Sequence, residues 1–213
     1  MMRVLGDSRQ YQLNTTGRRV GIAWIGNTSY AAQSLPRDLS LDAKDGSLRQ
    51  KFVPELQALR LNQSTRPGLQ AEVVASWHLP ARGAQQQQQG NEPLMFGVSV
   101  LGCAHRAERT RIGVNLRSST VFVDGTTQGN LFLRAGPLLG STTNISLHAY
   151  VDGGFVTAIF NEQVAITTVV APTKGCQEGT VGSWSSDPRR TSPSAKMAAW
   201  TLRQANNANV QPL

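Results

Sequence analysis

Acid–base chemistry by carboxyl groups needs two of them in surroundings that push their pKa values apart, one ionised and one protonated. The chain offers thirteen acidic residues. Their neighbours argue for other work. Asp38, Asp42 and Asp45 cluster about the turn signal Asp45-Gly46 and are expected to face water. Asp124 and Asp152 each precede a glycine, and Glu162 follows Asn161. Those pairs build turns, because Asn, Asp and Gly accept the backbone conformations a turn requires. Nucleophilic chemistry fares no better. None of the three histidines, His78, His105 and His148, lies in a base motif, and there is no nucleophile elbow or Gly-rich phosphate loop. Catalytic residues are therefore assigned to no position, and no cofactor is implied.

Metal and sulfur chemistry are equally limited. His105 stands near Cys103, but His78 and His148 have no ligand-like spacing, so no metal site is expected. The two cysteines are too few for a disulfide scaffold. Cys103 and Cys176 each follow a strand-like stretch, so they either pair across a sandwich or remain two unpaired thiols. Asn14, Asn27, Asn62 and Asn144 open Asn-x-Ser/Thr triplets and are candidate glycosylation sites, which would suit a secreted protein.

The net charge of +8 raises the question of a polyanion partner. Residues 1–60 carry nine basic and five acidic side chains and residues 61–213 carry twelve and eight, so each part contributes +4. The densest cluster, Arg106, Arg109 and Arg111, includes Glu108 and no aromatic residue. Nucleic acid is not expected as a partner. Nor is a membrane: there is no run of eighteen apolar residues and no apolar leader in MMRVLGDSRQYQL.

The elements that must position these residues read as strands. Val20, Ile22 and Trp24 form a strand ending at Gly26-Asn27, and 28–34 reads as a loop. Leu39 and Leu41 alternate with Ser40 and Asp42, and Asp45-Gly46 turns the chain into Leu48–Val53, which predicts a hairpin. Pro54 then changes the period, and residues 54–60 read as a short linker helix. Beyond Pro67-Gly68, Leu69, Ala71, Val73, Ala75 and Trp77 share one face while Gln70, Glu72 and Ser76 share the other. Residues 80–93, PARGAQQQQQGNEP, are too polar to order themselves and read as a long loop. Strands are expected at 94–100, 111–117, 119–123, 130–134, 145–151, 154–160 and 164–170, a loop at 173–194, and a closing strand at 197–203. Along 155–160 both faces carry apolar side chains, so both may be covered. Trp77 and Trp200 are expected in the sandwich core, and Trp184 in the loop as the candidate exposed aromatic for carbohydrate contact. Short strands with Gly/Asp turns and no recurring helix predict an all-β, antiparallel sandwich.

Two stretches carry a family resemblance. Gly17, Arg18, Arg19 and Trp24, followed by Gln33, Leu35, Pro36, Arg37, Leu39, Leu41, Gly46, Leu48, Gln50, Pro54, Glu55, Leu56, Leu59 and Arg60, resemble in order the junction of family 32 of the glycoside hydrolases. That family includes invertases, levanases, inulinases and fructosyltransferases. ISLHAYVDGGFVTAIFNEQVAITTVVAP (145–172) resembles a later segment of its C-terminal sandwich, with Thr157 where the family usually has Glu.

The resemblance implies an organisation and a role. Residues 1–53 would be a remnant of the last blade of a β-propeller, 54–60 the linker and 61–213 the C-terminal β-sandwich. The family's catalytic motifs, Asn-Asp-Pro-Asn-like, Arg-Asp-Pro and Glu-Cys, occur nowhere here and would lie upstream of Met1. The chain would then belong to a retaining β-fructofuranosidase-like enzyme that meets sucrose or fructan through the missing propeller, and would be inactive alone. The alternative is a non-enzymatic carbohydrate-binding sandwich. Trp24 would stack on a sugar or pack between blades, and Arg37 and Glu55 would hold the domain interface, Arg37 through carboxylates. The full-length parent would be secreted or vacuolar. Val20, Ile22 and Trp24 would lack cover.

Overall fold

The computed structural model describes residues 8–12, 17–26, 31–79, 95–103, 108–125, 133–170, 179–186 and 195–203. The glutamine-rich stretch 80–93 lies outside them. The described chain is almost entirely antiparallel sheet, arranged as an N-terminal sheet joined by one helical turn to a two-sheet sandwich.

The N-terminal sheet contains β1 (Ser8–Gln12), β2 (Arg19–Gly26), β3 (Ala31–Gln33), β4 (Arg37–Leu41) and β5 (Leu48–Phe52). Its order is β1-β2-β4-β5, with β3 also paired to β2. The expected β4–β5 hairpin is present. Asp42 Oδ1 accepts from Lys44 N at 2.9 Å and Asp45 Oδ1 from Ser47 N at 2.8 Å, so the two acids build the turn. Gly46 supplies the positive φ of 70° that it needs. Residues 28–34 are not all loop: Ala31–Gln33 add a short strand opposite Trp24–Gly26. Ala-Ala-Gln has no alternation to announce a strand; its pairing partner supplies the reason for it.

Pro54–Leu59 form a 3-10 helix. Proline suits its first position because its missing N–H would be unsatisfied there anyway. From Arg60 the chain enters the sandwich: β6 (Arg60–Gln63), β7 (Gln70–His78), β8 (Met95–Gly102), β9 (Thr110–Asn115), β10 (Thr120–Asp124), β11 (Leu133–Pro137), β12 (Asn144–Asp152), β13 (Phe155–Phe160), β14 (Val164–Val169), β15 (Thr180–Ser185) and β16 (Ala195–Leu202). One sheet runs β14-β13-β12-β7-β16-β6 and the other β11-β10-β9-β8-β15.

Alternation puts Ala71, Val73, Ala75 and Trp77 of β7 against Phe96, Val98, Ile112, Val114, Val121 and Val123 of the facing sheet, all buried in one cluster with Ile145, Leu147, Val156 and Phe160. Trp77 and Phe96 meet edge-on at 5.6 Å across the two layers. The β12–β13 hairpin turns at Gly153 and Gly154, with Asp152 paired to Phe155.

Two expectations are corrected here. Residues 173–194 are not one long loop, because β15 pairs with β8. Gly182 and a register shift between Thr180 and Gly182 interrupt its period of two and conceal the strand. Trp184 is therefore a half-buried strand residue. Trp200 is not in the sandwich core either. It stands opposite Glu72 on the other face of β16, and the inward position belongs to Ala199.

A second, smaller core lies on the outer face of the six-stranded sheet. Phe52, Tyr150, Ile159 and Leu202 are buried together, with Leu35, Leu56 and Ala165 packed against them. Both faces of β13 are thus covered, one by the sandwich and one by the N-terminal sheet. Val20 and Ile22 are half-buried, while Trp24, on the same face of β2, is 46% exposed.

Candidate functional site

The seam between the N-terminal sheet and the sandwich gathers several ion pairs beside the packed rings of Phe52, Tyr150 and His148. It begins at β5, an edge strand that would otherwise leave unpaired backbone groups. The β13–β14 turn covers that edge. Gln50 N donates to Glu162 O at 2.7 Å, Gln50 Nε2 to Gln163 O at 2.7 Å, and Arg49 Nη1 to Asn161 O at 3.2 Å. Asn161 and Glu162 both hold positive φ, 49° and 57°, which aims their carbonyls at β5. Lys51 pairs with Glu162 at 3.1 Å. Beside these polar contacts, Phe52 meets Tyr150 at 4.7 Å and His148 at 4.9 Å, both edge-on.

Beneath Phe52 lies a buried ion cluster. Glu72 is 0% exposed. Arg60 grips it with both arms, Nε to Oε2 and Nη2 to Oε1, each at 2.6 Å. His148 Nε2–H donates to Oε1 at 2.7 Å. Burial opposes the charge on Glu72 and is the largest influence on it. The bonds from Arg60 and His148 together outweigh burial and hold the carboxyl low, at about 2. Glu72 in turn raises Arg60, whose guanidinium stacks 4.1 Å from the Trp200 ring. Burial pushes the Tyr150 phenol up, and the Glu72 charge adds to that.

A second clasp closes the outside of the seam. Arg18 donates to Asp38 through Nε at 3.0 Å and Nη2 at 2.8 Å, and to Glu55 through Nη1 at 2.6 Å and Nη2 at 3.1 Å. It thereby ties β2 and β4 to the linker helix. Hydrogen bonding from Arg18 holds the Glu55 carboxyl at about 2. Within the hairpin Arg49 reaches Asp42 at 2.7 Å, and the Lys44 backbone N–H, with Arg49, lowers the Asp42 carboxyl.

Between β5, the linker helix and the outer sheet face a cleft of about 530 Å³ remains, lined among others by Phe52, Gln57, Val74, Ser76, Ser146 and His148. A general acid would need a carboxyl held up by its surroundings. Every described carboxyl with a displaced titration is displaced downward: Asp42, Asp45, Glu55 and Glu72. Among the described residues no group of three His, Cys, Asp or Glu side chains could hold a metal ion. The chemistry of this seam is that of ion pairing and packing.

The residues singled out from the sequence fall in separate places. Glu55 lies at the seam. Arg37 does too, but it meets no carboxylate among the described residues. Its Nη1 donates to Gln50 Oε1 at 2.8 Å, its Nε is buried without a partner among them, and burial lowers its pKa. The carboxylate-binding role expected of Arg37 is filled by Arg18. Trp24 is far along β2, and Trp184 lies on the opposite sheet, where its Nε1–H donates to Val98 O at 3.0 Å. Cys103 is disulfide-bonded, and the chain's one other cysteine, Cys176, lies outside the described residues. Asn62 is exposed on β6. Asn144, at the start of β12, is exposed and accepts from His78 Nδ1 at 2.6 Å. Asn14 and Asn27 lie outside the described residues.

Nothing in the sequence order announces Arg60, Glu72 and His148 as a unit. One signal was available: a carboxylate between Ala71 and Val73, on a strand whose neighbours carry apolar residues on both faces.

Comparison with known proteins matches residues 42–201 to the family model described as glycosyl hydrolases family 32 C terminal. No curated protein matches the chain significantly. Among solved structures, exo-inulinase from Aspergillus awamori superposes with a TM-score of 0.70 at 17% identity, over 92% of this chain and 42% of that one. Fructan 1-exohydrolase IIa from Cichorium intybus, in complex with 1-kestose, gives 0.69 at 19% identity, over 93% and 48%. Sucrose-6-phosphate hydrolase from Lactobacillus gasseri gives 0.68 at 14% identity, over 92% and 41%. The chain spans less than half the length of each, and at these identities the likeness is one of fold.

Proposed function

The chain belongs to family 32 of the glycosyl hydrolases, as its C-terminal part, and from that premise we propose that it is the sandwich-bearing portion of a retaining β-fructofuranosidase-type enzyme acting on sucrose or fructans. The N-terminal sheet is read as the end of the last propeller blade. The sandwich serves as a brace that holds that blade. The observation carrying this reading is the second core: Phe52 from the N-terminal sheet is buried against Tyr150, Ile159 and Leu202 of the sandwich. A self-sufficient binding module has no need of such a cover on one of its outer faces.

The catalytic carboxylates belong elsewhere in the enzyme. A retaining mechanism needs two carboxyl groups about 5 Å apart, one of them protonated at working pH. Asp38 and Glu55 share one guanidinium, and Glu55 stays ionised well below neutrality, so Glu55 supplies no acid. The parent is read as secreted and glycosylated, with Asn62 the best-presented acceptor because it is exposed on β6, an edge strand.

The purified chain, incubated with sucrose, inulin and levan, is expected to release no fructose above blank. Release that persists after Asp38 and Glu55 are replaced by Asn and Gln would place catalysis within this chain and overturn the reading. Release abolished by those replacements would overturn it too, and would name the pair responsible.

A further inference from the structure

The outer face of the six-stranded sheet is covered toward one end and open toward the other. Residues paired across strands share a face, so β12, β7 and β16 set successive rows there. Tyr150, Glu72 and Trp200 form one row, and His148, Val74 and Ala198 the next. Ser146, Ser76 and Lys196 follow, and then Asn144 and His78. Glu72 and Tyr150 are buried, whereas Ser146, Ser76, Lys196, Asn144 and His78 are all exposed.

These exposed residues line an open depression of about 510 Å³. It shares Ser76 and Ser146 with the seam cleft, which reaches Gln57 of the linker helix. The two spaces make one trough along the strands. From the row of Asn144 to that of His148 it runs about 14 Å.

The open end of the trough is built of groups with hydrogen bonds to give. The hydroxyls of Ser76 and Ser146 and the Lys196 ammonium have no partner among the described residues. His78 Nδ1–H donates to Asn144 Oδ1 at 2.6 Å, which fixes the amide plane. The Nδ2 of that amide has no partner among the described residues. Asn144 also opens the triplet Asn144-Ile145-Ser146. Its amide and the Ser146 hydroxyl stand two residues apart on β12, hence on one face, and both line the depression.

We propose that Asn144 carries an N-linked glycan whose first sugars lie in this trough, against Ser146, Ser76 and Lys196. The step is a glycosyl transfer from a lipid-diphosphate-linked oligosaccharide. Nδ2 forms a bond to the anomeric carbon of the donor's first hexosamine. The bond from that carbon to the diphosphate oxygen breaks, the diphosphate leaves with the electron pair, and the Nδ2 proton passes to a base of the transferring enzyme. Sugar hydroxyls need donors and acceptors at their edges, and the serine hydroxyls and the ammonium supply them. The floor of Ser76, Ser146, Val74 and Ala198 is made of small side chains, so rings have room to lie along it. With Oδ1 already held by His78, the first sugar starts from one amide orientation, and less conformational freedom is lost as it settles. The glycan would cover the open end of this face as the N-terminal sheet covers the other. The proposal rests on the reading of the parent as secreted and glycosylated.

The full chain is secreted from a eukaryotic host behind a supplied leader, so the test does not depend on how the parent is exported. Glycopeptide mass spectrometry is expected to find Asn144 occupied. Asn144→Gln and Ser146→Ala should each lose that glycan, and Ser146→Thr should keep it, since threonine also completes the triplet. Lysine acetylation then reads where the glycan lies. Lys196 should react several-fold more slowly in the native glycoform than in either unglycosylated variant, while Lys44, exposed in the β4–β5 turn, reacts alike in all. Two such variants keep the comparison available if one does not fold. An empty Asn144 beside an occupied Asn62 would overturn the proposal and leave the reading of the parent standing. Both sites empty would overturn the two together. A glycan on Asn144 with Lys196 equally reactive in every form would mean that the sugars project into water, and would overturn their placement in the trough.

Discussion

The two outer faces of the sandwich follow the same alternation and end differently. On the six-stranded sheet the outward positions hold Glu72, His148, Tyr150 and Ile159, and a second sheet lies over them. On the five-stranded sheet the central outward positions hold Gly97 and Gly113, and the Trp184 ring packs against Gly113. Large apolar side chains and a buried charge need cover from elsewhere, since exposed apolar surface costs about 25 cal/mol per Å² and an unpaired buried charge costs far more. Glycines under an indole need none: the sheet covers itself. The choice of outward residue therefore decides which face recruits another domain and which is covered by its own sheet.

The comparison breaks most visibly at Phe52. Phe52→Ala removes a ring that is 5% exposed from the joint itself. A loss of about 3–5 kcal/mol is expected, in line with large-to-small changes in cores. The N-terminal sheet should then melt ahead of the sandwich, giving two urea transitions by circular dichroism. One transition with an unmoved midpoint would mean that the covered face does not depend on its cover.

Glu72→Gln tests the charge under that cover. It leaves Arg60 and His148 without their anion, and both keep about a quarter of their side-chain surface in water, 26% and 30%. The expected loss is about 2–4 kcal/mol, toward the low side of breaking a fully buried pair. The pH dependence has a definite sign. The Glu72 pKa is depressed from 4.5 to about 2, so its stabilisation is fully present above the unfolded value and is lost as pH falls through that window. Chemical denaturation between pH 5 and pH 2 should show a steeper decline in the native chain than in Glu72→Gln. Parallel declines would show that Arg60 and His148 do not stabilise the charged form.

Gly113→Ala tests the self-covered face, with the smallest expected effect. The added methyl meets backbone at Phe96 and displaces the indole, so about 1–3 kcal/mol of overpacking is expected. The Phe52 seam should be unaffected, and a fluorescence change at Trp184 should accompany the loss. A variant as stable as the native chain would mean that the indole is loosely held.

Much of the architecture was legible in the order of residues. Period-two alternation in β7, β12 and β13, the Asp152-Gly-Gly turn and the Pro54 break each carry a local physical cause, and the structure contains the corresponding elements. What escaped were elements without a local cause. β1 and β3 exist because β2 offers backbone partners to both. β15 lost its rhythm at Gly182, where a register shift resets the pairing with β8. The apolar character of Trp200 predicts a core position, but parity along β16 sets it opposite Glu72, under Arg60.

The sequence by itself determined that this is an antiparallel all-β chain with a short linker at Pro54, and it carried the marks of its family, because alternation, turn residues and motif order are local properties. Tertiary structure alone decided that Arg18 rather than Arg37 clasps the carboxylates, that Glu72 is a buried anion held by Arg60 and His148, and that Trp184 packs against Gly113. Each of those depends on strand register, since side chains far apart along the chain become neighbours only when the pairing puts them in the same row and on the same face.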